Sequence, residues 1–166
     1  MQKIPYLIAI AGMIAGVFIA ILFGANEEMF KNKIKAGLEQ NVKIQQMAEP
    51  ERTAKLASEQ DKNWRYYQRF HFHSTGIGAM SLALLIFLSF IAAPERIRAV
   101  TAYGTAIGGM LYPFVWLFSG IYGPSMGRSE AKEAFAVFGY MGGVFLLSTL
   151  AIFILALVYP NRLTRS

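Results

Sequence analysis

The sequence predicts an all-α integral membrane protein: a four-transmembrane-helix bundle with an extramembrane helical hairpin between the first and second spans. Three observations predict it. Charged residues make up 16% of the chain, against about 25% in an ordinary soluble domain. Those charges are segregated, so that four long runs carry none at all. The one sizeable polar block, residues 25 to 73, repeats its apolar side chains at helical spacing.

The first uncharged run, residues 4–24, matches the roughly 20 apolar residues that a helix needs to cross a bilayer. It is longer than the apolar core of a secretion signal, and no small-x-small cleavage site follows, so it reads as an uncleaved anchor. A helix satisfies its own backbone hydrogen bonds in lipid. A barrel strand would need alternating polarity, which these runs lack. In the polar block Phe30, Ile34, Leu38 and Val42 recur every four residues between lysines and glutamates, the pattern of an amphipathic helix. Pro50 suits the first turn of a second helix because it has no amide hydrogen to lose there, and residues 51–67 are polar and helix-permissive. The block is too short to bury much core alone. Its apolar stripe is expected to lie on lipid, on its neighbour or on a partner protein.

The second span, 74–93, and the third, 99–121, form a tight antiparallel pair through Pro94, Glu95, Arg96, Ile97 and Arg98. Pro113 predicts a kink in the third span. After residues 122–128, Ser129 reads as an N-cap with Glu130 and Glu133 in the first turn. The last helix then enters the bilayer as a span over 134–158. The whole chain, 1–166, is expected to be one membrane domain. Glycines at four-residue spacing (Gly12 and Gly16, Gly104 and Gly108, Gly139 and Gly143) let helices approach closely. They serve packing within the chain, or docking of a partner subunit or second copy.

Sidedness is read from the basic residues. Nine Lys/Arg lie in residues 25–73, and five (Lys3, Arg96, Arg98, Arg162 and Arg165) lie on the other side. A raw count places the large loop inside. The charges that flank the spans directly, Lys3 before the first and Glu27 and Glu28 after it, point the other way. The expectation is that both termini are cytoplasmic, in a bacterial inner membrane.

Chemistry concentrates in residues 64–73, Trp-Arg-Tyr-Tyr-Gln-Arg-Phe-His-Phe-His, which hold both histidines of the chain. Imidazole ligates haem iron, copper and zinc. His71 and His73 are therefore the candidate metal and cofactor ligands. Arg65 and Arg69 are candidates for holding haem propionates or other anions, and Tyr67 for hydrogen-bonding the same group. Two residues apart on a helix point about 200° apart, so these histidines cannot easily share one metal. No other span has a histidine, which excludes a bis-histidine haem within one chain. The expected cofactor is haem b, a metal ion or a quinone at the membrane interface. The competing interpretation is an aromatic and basic belt at headgroup level.

Other chemistry is poorly provided for. The chain has no cysteine, which excludes thiolate sites and disulfides. It has no phosphate-binding glycine loop and no Ser-His-Asp pattern. No carboxylate lies inside a span to relay protons or cations, and no basic run sits on a nucleic-acid fold. In size and architecture the chain resembles small four-helix membrane subunits of bacterial respiratory or oxidase-type assemblies. The expected function is such a redox subunit, without independent catalysis. The alternative is a cofactor-free structural or assembly subunit that docks a larger complex through Phe30, Ile34, Leu38 and Val42.

Overall fold

The computed structural model describes residues 3–162. It contains eight helices: α1 (Ile4–Ala25), α2 (Glu27–Glu39), α3 (Val42–Gln45), α4 (Glu51–Phe90), α5 (Glu95–Leu111), α6 (Phe114–Met126), α7 (Arg128–Ala134) and α8 (Ala136–Val158). Arg165 lies outside the described residues. Four stretches are long and apolar enough to cross a membrane: α1, α4, α5 with α6, and α8.

Local chemistry sets most boundaries. Pro5 opens α1, where its missing amide hydrogen costs nothing. Asn26 ends α1 and caps α2, its side chain accepting from Met29 N at 3.0 Å, with Glu27 and Glu28 in the first turn where the helix dipole favours acids. The amphipathic stripe of α2 is buried: Phe30, Ile34 and Leu38 pack with Ile44 and Tyr67 against α4 and α6. Of the three surfaces expected for the stripe (lipid, its neighbour or a partner), the chain's own helices take it up. Its first three members are consumed inside the chain, and only Val42, 61% exposed, faces outward.

α4 is a second departure. The sequence suggested a polar helix followed by a separate span, but residues 51–90 form one helix, about 60 Å long at 1.5 Å per residue. No proline or glycine interrupts it before Gly76. Gly78, further on, is used for packing: a Cβ there would come within 2.9 Å of the Met13 amide on α1.

The third stretch breaks at Pro113, as the sequence predicts. The ring removes the hydrogen bond to the Gly109 carbonyl. The chain tightens instead, with Trp116 N donating to Pro113 O at 2.9 Å and Val115 N to Tyr112 O at 3.3 Å. At the next turn Gly127 has φ of 103°, a left-handed conformation that glycine adopts without strain. Gly127, and not Ser129, precedes the first residue of α7. A further break at Phe135 separates α7 from α8.

The helices alternate in direction, and their connections gather at two ends. At one end Pro5 lies beside Arg98, and Ala92 N donates to Pro160 O at 3.0 Å. At the other, Asn41 Nδ2 donates to the carbonyls of Pro124 and Ser125 at 3.2 and 3.1 Å. α2, α3, the start of α4, the end of α6 and α7 meet there. Several glycines of the predicted stripes seat the chain's own helices. Gly12 faces Met110, Gly16 faces Ser74 and Thr75, Gly104 faces Ser148, and Gly108 faces Phe145; Gly143 faces open space.

Candidate functional site

The segment 64–73 lies wholly within α4, so its side chains fan out around the helix. His71 turns toward α1, its Nδ1 2.8 Å from Gly16 O, with the Phe23 ring edge-on at 5.9 Å between centroids. His73 turns toward the α5–α6 joint, its ring 5.6 Å from Tyr112 and 5.9 Å from Trp116. Its Nδ1 lies 2.8 Å from Arg69 O one turn back. A carbonyl oxygen can only accept, so Nδ1 donates in both rings and the lone pair lies on Nε2. Each histidine has one free ligating atom, and the two serve different sides of the helix. Among the described residues no three His, Cys, Asp or Glu gather as a metal site.

The remaining candidates separate as well. Tyr67 is 4% exposed and lines a largely apolar cavity of about 320 Å³ between α1, α2 and α6, with Phe30, Lys33 and Leu117. Arg65 is exposed. Arg69 is also exposed but is laid over two rings, its guanidinium carbon 5.7 Å from the Tyr66 centroid and 4.9 Å from that of Trp116. The five candidate residues therefore do not form one site.

Two clusters were not legible in the sequence. The first surrounds Glu59, only 8% exposed. Arg128 Nε donates to its Oε2 at 2.6 Å, while Lys62 and Lys55 lie 3.3 and 3.6 Å from its Oε1. Burial alone would raise the carboxyl's pKa, but the hydrogen bonds from Arg128 and Lys62 outweigh it and hold the group below the usual carboxylate range. Glu59 stands on the polar half of α4, well before the uncharged run. The pair bridges 69 residues, and local pattern gives no signal of it. Lys43 and Glu130 form a second bridge beside it.

The second cluster is aromatic and cationic. Tyr66 and Trp116 stack at 5.7 Å. Arg69 covers both, and so does Lys132 from α7, with Nζ 5.4 Å from Tyr66 and 5.6 Å from Trp116. The Tyr66 hydroxyl, Trp116 Nε1, Ser119 Oγ and Asn63 Oδ1 are buried without a well-formed hydrogen bond. Sequence alone marks the aromatics of residues 64–73 as an interface belt, and it carries no sign that Lys132 reaches Tyr66. Comparison with known proteins adds no further constraint: no family model, curated protein or solved structure matches the chain.

Proposed function

We propose that this chain is an integral protein of a bacterial cytoplasmic membrane, with both termini inside, that acts as a non-catalytic structural subunit. Four spans anchor it, and α2 with the first half of α4 forms a stiff extramembrane hairpin. One observation carries the membrane reading. The most apolar helices are the least buried: in the best 18-residue window 17% of α1 and 11% of α8 is buried, against 44% of α5 with α6. In water such faces would drive aggregation; in lipid they are the solvated surface.

The structural role is supported by the way the arm is fixed. Asn41, Lys43 and Glu59 tie α2, α3 and α4 to α6 and α7, so the arm is braced and holds a constant surface away from the bilayer. The redox reading, with haem b, a metal or a quinone, would need His71 or His73 to act alone or across subunits, because they leave α4 on different sides.

The test is purification from the native membrane in mild detergent after carbonate washing. A particle larger than the protein–detergent monomer, reduced to the monomer by Ala57→Arg on the exposed face of α4, is expected. A monomer with a reduced-minus-oxidised haem spectrum that His71→Ala or His73→Ala abolishes would overturn the structural role in favour of the redox one. Release by carbonate would overturn the membrane reading itself.

A further inference from the structure

Arg69 and Lys132 bring two positive charges onto the same two rings. Their charged groups lie 4.9 and 5.6 Å from the Trp116 centroid, and each ring face offers part of the attraction. The two cations nevertheless repel one another, more strongly beside apolar rings than in bulk water. Elsewhere at this end, cations converge around an acid, as Arg128, Lys62 and Lys55 do around Glu59. Arg69 and Lys132 have no carboxylate partner among the described residues. Two exposed cations laid over one pair of rings lack only the anion that would balance them.

Their height along the helices narrows the chemistry. Arg69 is the last charged residue before the uncharged run that begins at Ser74, about 7 Å earlier along α4. Lys132 lies two residues before the uncharged run that begins at Ala134. Both stand where lipid headgroups lie if those runs span the bilayer.

We infer that Arg69, Lys132 and Trp116 form a binding site for a phosphate-type anion, of the kind an anionic phospholipid headgroup presents. Arg69 and Lys132 neutralise the phosphodiester, and the rings of Tyr66 and Trp116 are the platform that fixes the spacing of the two cations. This rests on the membrane reading as far as the lipid is the source. The same chemistry would take a free phosphate.

The experiment uses the full chain in detergent, first shown to stay in the membrane after carbonate washing, so that failure of the membrane reading is seen separately. Trp64→Phe leaves Trp116 as the only indole. Its fluorescence and native mass spectrometry then follow titration with phosphatidylglycerol, phosphatidylcholine or inorganic phosphate. Phosphatidylglycerol is expected to bind at least about tenfold more tightly than phosphatidylcholine, and removal of each cation is expected to weaken it by about tenfold. Saturable quenching by inorganic phosphate, lost in the same variants, would support the site with free phosphate as its ligand. Lys132→Gln, on an exposed side chain of a short helix, tests the charge without disturbing the bundle, and Lys132→Arg should restore binding. Equal binding of the two lipids with no response to phosphate, or undiminished phosphatidylglycerol binding by Lys132→Gln and Arg69→Gln, would overturn the inference.

Discussion

At the scale of single residues, space and charge decide what each position tolerates. Gly108 packs so tightly that a Cβ would lie 2.6 Å from the Phe145 amide, and backbone cannot step aside as a flexible side chain can. Gly108→Ala is expected to cost about 1–3 kcal/mol by overpacking. Gly143 has nothing within 4 Å of its added Cβ, so Gly143→Ala should be neutral or stabilising by up to about 1 kcal/mol. Thermal unfolding in detergent, followed by helical circular dichroism, reads both. A similar gain for the two variants would show that helix propensity, and not packing, governs these glycines. The sequence marked both members of each small-residue pair alike, because spacing says which glycines share a face and nothing about what stands opposite.

Glu59 gives a residue-scale prediction with a sign. Its folded pKa lies below the ordinary value because Arg128 and Lys62 favour the charged form against the cost of burial. The stabilisation is therefore complete above the unfolded carboxylate value of about 4.3 and disappears as the pH falls through the lower folded value. Glu59→Gln should lower stability at pH 7 by about 2 kcal/mol and flatten the acid side of a stability profile from pH 7 to pH 3. An unchanged acid limb would mean that another carboxylate controls it. No local motif announces this pair, since its partners meet only after the chain has run through α4, α5 and α6.

At the scale of elements, periodicity was readable where the period was local. The four-residue repeat of α2, the capping by Asn26, the break at Pro113 and the limits of the apolar runs all follow from neighbours in sequence. The continuity of α4 was not readable from hydropathy, because a change from polar to apolar composition marks a change of solvent and not an end of helix. Periodicity likewise marked the apolar stripe of α2 without choosing among lipid, a neighbour and a partner, and the fold gives it to the chain's own α4 and α6. Ile34 is 1% exposed there, and Ile34→Ala should weaken the docking of α2 by about 2–5 kcal/mol. Hydrogen exchange should then rise in residues 27–39 while α8 keeps its protection. Loss of protection throughout the bundle would show instead that α2 and the spans unfold as one unit.

At the scale of the whole molecule, the site candidates were legible as a list and not as an arrangement. Residues 64–73 stood out by composition, and a helical period of 3.6 already implied that His71 and His73 diverge. What each side chain meets depends on which helix lies on each side of α4, and that is a property of the packed bundle. The arrangement of the two ends makes a prediction about sidedness. The chain has no native cysteine, so a single introduced thiol reports its own position. Ala57 is exposed at the end that holds α2 and α7, and Ile97, 44% exposed, at the end that holds Pro5 and Asn161. With the termini inside, a maleimide that cannot cross membranes should label Ala57→Cys in intact bacterial cells, and Ile97→Cys only after permeabilisation. The reverse pattern would keep the four spans and invert the protein, in keeping with the nine basic residues of the large loop. Labelling of both positions from the same side would break the alternation of the helices, and with it the claim that all four apolar stretches cross the bilayer.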